Sequence, residues 1–502
     1  MTRSLIAEYF DSSGVDIADA TSEWIAYLAS LDSVARQSPA TARAIVHEIR
    51  DQRSNLKFIA SENYSSLPVQ LAMGNLLTDK YAEGAPHKRF YAGCDNVDEI
   101  EDSARESAME LFGVEHAYVQ PHSGADANLV AFLAVLHNRI GRRVLEAVGS
   151  KSLLELSEQQ WIELRREFGS QRLLGMDLAA GGHLTHGYRL NISALMFDVT
   201  LYGVDEKTGL LDYDKLETVA LEVRPLILLV GYSAYPRKLD FARLKEIADR
   251  AGSVLLADMA HFAGLVAGKV FSGRYTPVGH ADLITSTTHK TLRGPRGGFV
   301  LSTSDFASDV DKGCPYVLGG PLPNVMAAKA ICFEEARREE FSGYAHRVVE
   351  NAQILSAKLQ SLGMSVVTGG TDNHLLLVDV RPYGLTGRQA ESALRACGIT
   401  LNRNVIPGDT NGPWYTSGLR FGTAAVTTLG MGREEMVLAA ELAERVLSST
   451  VPVPTSTGNA RVQFSTPVDV VSEVRDAAKV LLARFPVYPE LDLDFLEKTI
   501  GV

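Results

Sequence analysis

Between about residue 97 and residue 300 the chain alternates helical segments with short apolar runs, and that alternation constrains the fold more than any other feature. "NVDEIEDSARESAMELFG" and "FARLKEIADRAG" have the three- and four-residue apolar spacing of amphipathic helices, whereas "LILLVGYSAY", "SVLLADMA" and "ADLITSTT" are too short and too continuously apolar to be surface helices. Strands buried on both faces and joined by helices imply a mainly parallel sheet covered by helices, hence an α/β fold.

The flanks read differently. Residues 17 to 56 show helical spacing in "SEWIAYLASL" and "ATARAIVHEIRDQ" and are expected to form an N-terminal helical arm within residues 1–70. A large α/β domain over 71–325 is expected to be followed by a smaller α+β domain over 326–502. "SSTVPVPTSTGNARVQFSTP", 448 to 467, is rich in Ser, Thr and Pro and reads as a loop before a last amphipathic helix, "VVSEVRDAAKVLLARF". No fixed-period repeat is evident.

A formal net charge of -12 disfavours nucleic acid and anionic membranes as partners, since phosphate contacts need a basic surface. Cys94, Cys314, Cys332 and Cys397 form no CxxC pair, which suits a reducing cytoplasm. The first twenty residues lack a signal-peptide core, and no run of about 18 apolar residues suggests a membrane span.

In open α/β sheets ligands gather at the carboxyl ends of the strands. Here those ends deliver Ser233, then Asp258 and His261, then Thr287, Thr288, His289 and Lys290. "QPHSGADAN" adds Ser123 and Gly124 just before a helix, where free backbone N–H groups can hold an anion. A lysine to hold an aldehyde as a Schiff base, N–H donors for a phosphate and a carboxylate to keep a pyridine nitrogen protonated are what pyridoxal phosphate requires. Singly, each residue has an ordinary explanation as a turn or surface group; the combination is what points to the cofactor.

A rival reading groups His183 and His186 of "GGHLTHG" with Asp258 and His261 as the ligands of a metal-dependent hydrolase. It leaves Lys290 and the phosphate turn unexplained, and the sequence has no HExxH; the preferred reading has no metal. Glu62, Tyr81, Glu83 and Tyr91 fall in glycine-broken loops able to present acid and base groups, and Arg420 lies in a β-like stretch suited to capturing a carboxylate.

Taken together, "IASENYSS", "KYAEGAPHKRFYAGC", "VQPHSGADAN", "GGHLTHG", "DMAHFAGLVA", "TTHKTLRGPRGG", "GGTDNHLLLVD" and "TSGLRFGT" resemble serine hydroxymethyltransferase, in family order over most of residues 50 to 440. The resemblance implies a fold-type I pyridoxal phosphate transferase, aspartate aminotransferase-like, that interconverts serine plus tetrahydrofolate and glycine plus 5,10-methylenetetrahydrofolate. Threonine aldol cleavage or alanine racemisation would be side activities.

By resemblance, Lys290 carries the cofactor, His289 is its catalytic neighbour, Asp258 faces the pyridine nitrogen and His183 stacks on the ring. Ser233 and His261 fall near the ring oxygen, and Ser123 and Gly124 at the phosphate. Arg420, with Ser61 and Tyr91, holds the amino-acid substrate, and Glu83 shuttles a proton and contacts folate. Tyr81 and Gly320 reach the cofactor of a partner subunit, which implies a homodimer with shared sites. Leu178, Gly182, Leu184 and Asn404, with His183, match folate contacts.

The match departs from the family in four places. Ala125 and Asp126 stand where Ser and Gln are common, which predicts weaker cofactor retention; Phe90 replaces a tyrosine on the folate side; and 138–171 is an insertion of helical character. "CPYVLGGPLP" is shorter than the family's glycine-rich segment but keeps Gly319 and Gly320.

Overall fold

The computed structural model describes residues 4–456 and 458–500. Its centre is a seven-stranded sheet, numbered here along the chain as β1 (His116–Tyr118), β2 (Arg172–Met176), β3 (Asp198–Tyr202), β4 (Ile227–Gly231), β5 (Val254–Asp258), β6 (Leu283–Thr287) and β7 (Gly298–Ser302). The spatial order is β1-β7-β6-β5-β4-β2-β3. Neighbours from β6 to β3 pair in parallel, and β7 alone runs against both of its neighbours. The mainly parallel α/β architecture expected from the alternation is therefore present.

Strands β4 to β7 are buried at every residue, which accounts for their continuous apolar character. Two apolar cores cover the sheet. One includes Leu228, Val230, Leu255 and Phe299 with helices Asp95–Phe112 and Pro323–Ala336; the other includes Leu229, Leu256 and Val300 with helix Gly124–Leu136. Because β7 alone is reversed, the carboxyl ends of the other six strands open on one side.

A four-stranded antiparallel sheet, in the order Ser365–Val366, Leu375–Asp379, Gly418–Gly422 and Asn402–Asn404, has its own core. Leu56 and Phe58 enter that core, and Leu56–Lys57 pairs with Ile399–Thr400. The N-terminal helices Ser22–Gln37 and Pro39–Ser54 break at Ser38, whose side chain caps the second helix. They share a core with Leu491, Leu496 and Ile500 near the C-terminus, so the two ends of the chain pack together.

The structure corrects the reading of 448–467. Val451–Thr455 and Gly458–Ser465 form an antiparallel hairpin, and a further helix, Leu493–Ile500, follows Val468–Ala483. Pro452 and Pro454 are tolerated because a two-stranded ribbon consists of edges. In 138–171 the expected helical character is present: helix Gly124–Leu136 runs into a π-turn, His137–Gly141, then Arg142–Val148 and Glu158–Gly169. Asp309, buried, anchors the π-turn by accepting from Asn138 at 3.0 Å and lying 2.6 Å from His137 Nδ1. No helix among the described residues is long and apolar enough to cross a membrane.

Candidate active site

Two adjoining cavities, of about 370 and 390 Å3, open at the carboxyl ends of the strands and share Ser61, His183, Ser233, His261 and Lys290. The first is also lined by Ser123, Gly124, Ala125, Asp258, His289 and Arg296; the second by Leu178, Gly182, Leu184, Asn404 and Arg420. Fourteen of the residues given a role by the resemblance therefore meet in one place.

Asp258 ends β5 and is buried. Its Oδ2 accepts a hydrogen bond from Asn128 Nδ2 at 2.9 Å and lies 3.2 Å from His186 Nε2, while Oδ1 accepts from the Ala260 N–H at 3.0 Å. Burial works to raise its pKa, but the His186 contact, the nearby imidazoles and Asn128 outweigh it and hold the carboxyl well below the usual range. Thr285 Oγ1 donates to Asn128 Oδ1 at 2.6 Å, which fixes the amide so that its NH2 faces Asp258.

Lys290 follows β6, and its backbone carbonyl accepts from Asn63 Nδ2 at 2.9 Å. Burial pushes its ammonium down to about 8, with Arg420 and Arg296 acting in the same direction and Asp258 opposing. Burial likewise lowers His289 to about 3 and His183 to about 4, so both imidazoles are neutral near pH 7. Nδ1 of His289 is buried without a partner among the described residues. The Thr185 N–H donates to His183 Nδ1 at 3.2 Å, which sets the orientation of that ring. His261 faces His374, the ring centroids 5.5 Å apart, and burial lowers both.

Arg420 comes from the second sheet. It donates to Asn402 Oδ1 at 3.0 Å and to the Ser233 carbonyl at 2.6 Å, and it pairs with no carboxylate among the described residues. Burial lowers it to about 10. A buried guanidinium held by neutral acceptors retains donors for an incoming carboxylate.

Ser123 caps helix Gly124–Leu136 by accepting from the Asp126 N–H at 3.1 Å, and the first N–H groups of that helix stand beside the cavity. Glycine is required at 181 and 182: Gly181 has φ +105°, and a Cβ on Gly182 would overlap the Met176 carbonyl.

Tyr81, Glu83, Tyr91 and Gly320 line neither cavity. They form a separate cluster in which the Tyr81 and Tyr91 rings lie 5.1 Å apart and Gly319 and Gly320 pack beside Glu83 and Tyr81. Tyr81 is 58% exposed and Tyr91 47%, with Phe90 beside them at 66%. Arg89 holds this loop by donating to the carbonyls of Ala82 and Gly84, at 2.9 and 2.7 Å, on either side of Glu83.

The contacts of Asn128, His186, His374 and Asn402 were not anticipated from sequence. His186, a metal ligand in the rival reading of the sequence, turns instead to Asp258, and among the described residues no group of three His, Cys, Asp or Glu is arranged to hold a metal ion. Its placement at the end of the 3-10 turn Leu184–His186 carries no sequence signal of its own; His374, a histidine opening the apolar run of Leu375–Asp379, does.

The sequence profile described as "Serine hydroxymethyltransferase" matches residues 34–148 and 167–443, and its gap falls inside the 138–171 segment. The chain is 58% identical over 497 residues to a serine hydroxymethyltransferase of Treponema pallidum, covering 99% of this chain and 86% of that one. It is 56% identical over 472 residues to that of Salinispora tropica (94% and 99%) and 53% over 482 to that of Mycolicibacterium smegmatis (96% and 97%). With the mainly parallel sheet and the lysine, carboxylate and helix start at its strand ends, these similarities show that the chain belongs to the serine hydroxymethyltransferase family.

Proposed function

We propose that this chain is a serine hydroxymethyltransferase, converting L-serine and tetrahydrofolate reversibly to glycine and 5,10-methylenetetrahydrofolate in glycine and one-carbon metabolism. The observation that carries this reading is the meeting of Lys290, Asp258 and the Ser123–Gly124 helix start in one cavity, with the unpaired Arg420 in the next.

These residues fit pyridoxal 5'-phosphate by their chemistry. The amine of Lys290 is brought toward neutrality by burial and suits an aldehyde, the Asp258 carboxylate stays ionised opposite a protonated pyridine nitrogen, and the helix start suits a phosphate. When bound, the group supplies an electron sink for the pair left on Cα when the Cα–Cβ bond breaks. Asp258, oriented by Asn128 and His186, holds the proton at the ring nitrogen. His183 would supply a neutral face for the ring and Ser233 and His261 would hold its oxygen, while His289 stands beside Lys290.

Arg420 binds the substrate carboxylate with Ser61 nearby. Leu178, Gly182, Leu184 and Asn404 supply the folate wall, continuous with the serine side through His183. Glu83 moves the proton of the serine hydroxyl and contacts folate, and Tyr91 lines the substrate. Since Tyr81, Glu83, Tyr91 and Gly320 stand apart from Lys290 in one chain, a homodimer in which each subunit lends this cluster to its partner's site accounts for all the residues. The organisation proposed is an arm over 1–70, a cofactor domain over 71–325 and a small domain over 326–502, with Leu56 and Phe58 tying the arm to the last. Four buried, unpaired cysteines suit a reducing cytoplasm. Threonine aldol cleavage or alanine racemisation are side activities of the same site.

The test is the visible absorption of the protein with pyridoxal 5'-phosphate, titrated with glycine and then tetrahydrofolate. A band that glycine alters and folate alters again supports the whole reading. A response to glycine without one to folate moves the activity to aldol cleavage or racemisation, and no band sinks the cofactor assignment.

A further inference from the structure

Helix Pro323–Ala336 carries Lys329, whose side chain is fully buried at 1% exposure and lines neither cavity. Its ammonium donates to three backbone carbonyls, those of Val119 at 2.5 Å, Pro121 at 2.9 Å and Gly298 at 2.8 Å. Three bonds use all the N–H groups an ammonium has. Lys329 forms no ion pair among the described residues, and Glu101 and Asp126 act on it only through space.

These carbonyls belong to the backbone that shapes the phosphate turn. Val119 and Pro121 lead from β1 into Ser123, and Gly298 opens β7 directly beneath it. The Gly298 N–H donates to the Pro121 carbonyl at 2.9 Å, and a Cβ on Gly298 would overlap the Ser123 carbonyl. A Cβ on Gly297 would press on the Lys329 side chain itself. In a peptide unit N–H and C=O point in opposite senses, so a turn that offers N–H groups to a cavity gathers carbonyls behind it. Buried carbonyl oxygens brought together repel one another and need donors. A lysine is the compact cation that serves three such oxygens from one atom.

We propose that Lys329 is a positioning residue for the phosphate end of the cofactor: it ties the Val119, Pro121 and Gly298 carbonyls behind the Ser123–Gly124 turn and places a buried cation on the far side of that turn from the phosphate. The inference rests on the reading of the cavity as a pyridoxal phosphate site. It concerns the phosphate alone, because the pyridine and aldehyde ends are held by Asp258 and Lys290. Burial lowers Lys329 to about 7, with Glu101 and Asp126 opposing, so an arriving phosphate anion favours its charged form.

The experiment compares the affinity of the cofactor-free full-length protein for pyridoxal 5'-phosphate and for pyridoxal, which lacks the phosphate, in the parent and in Lys329→Met. The expected result is a loss of about tenfold or more for pyridoxal 5'-phosphate, the scale of a charge-assisted contact, with pyridoxal affinity unchanged. Equal losses for both ligands, or no loss for either, overturn the role of Lys329 while leaving the cofactor reading intact. A parent that binds neither ligand overturns the cofactor reading itself. Should the methionine variant not fold, Lys329→Ala prepared in methylammonium gives the same comparison: pyridoxal 5'-phosphate affinity that rises with methylammonium, while pyridoxal affinity does not, supports the role, and affinities that ignore the amine overturn it.

Discussion

His186 Nε2 lies 3.2 Å from Oδ2 of Asp258, and both side chains are buried. A histidine 72 positions away in the chain thus helps keep a buried carboxylate ionised where burial alone would protonate it.

Removing that contact is expected to weaken the hold on the cofactor. In His186→Ala the carboxyl keeps Asn128 but loses its strongest partner, so its pKa rises, and the acid limb of pyridoxal 5'-phosphate binding moves to higher pH. A hydrogen bond to a charged group contributes about 1.5–3 kcal/mol, so affinity near neutrality falls by roughly tenfold or more. Equilibrium titration of cofactor absorbance across pH checks both effects.

Lys290 attacks an aldehyde only as the neutral amine. With its ammonium lowered to about 8, the rate of cofactor incorporation into the cofactor-free protein rises with pH with its midpoint near 8 rather than near 10.5. Stopped-flow absorbance from pH 6.5 to 9.5 reads the midpoint. Arg420→Lys, which removes a neighbouring guanidinium but keeps a charge, moves it little.

Arg420→Lys is expected instead to raise the KM for serine strongly and to lower kcat/KM by about a hundredfold, because an ammonium cannot reproduce the two-pronged geometry offered to a carboxylate. Steady-state kinetics with serine varied at saturating tetrahydrofolate is the check, with tetrahydrofolate KM expected to change far less.

Mixing two inactive variants tests the shared site. Lys290→Ala and Glu83→Gln are each expected to lose activity, but with sites shared between subunits a hybrid dimer would have one site with both lesions and one with neither. Activity recovered after co-refolding supports sharing; none recovered from demonstrated hybrids places Glu83 and Lys290 on the same chain's site.

Acid is expected to destabilise this protein through its buried imidazoles. Burial lowers His183 to about 4, and His289 and His374 to about 3, against about 6.5 unfolded. Below 6.5 the unfolded chain takes up protons that the folded chain refuses, so the stability from these groups is complete above that pH and is lost as pH falls toward 3–4. Denaturation midpoints of the cofactor-free protein between pH 7 and 4 measure the slope, and His374→Gln is expected to flatten it.

Much of the architecture was legible in the sequence because burial leaves a periodic trace. The apolar runs at 227–231, 254–258 and 283–287 became adjacent parallel strands, and the polar residues just beyond them became the cavity lining, since the end of a buried strand is where a side chain can meet a ligand. Composition misled at 448–467, where Ser, Thr and Pro hid a hairpin whose strands lie too exposed to show an apolar run.

Sequence by itself determined which residue types stand at each strand end, and so the lysine, carboxylate and phosphate turn. Only the tertiary structure decided their partners: His186 and Asn128 on Asp258, Asn402 on Arg420, Lys329 on three carbonyls, and the separation of Glu83 from Lys290 within one chain. The reason is physical. Periodicity records whether a residue is buried, a property of its own segment, whereas the pairing of two polar atoms depends on which distant segments the sheet order brings side by side.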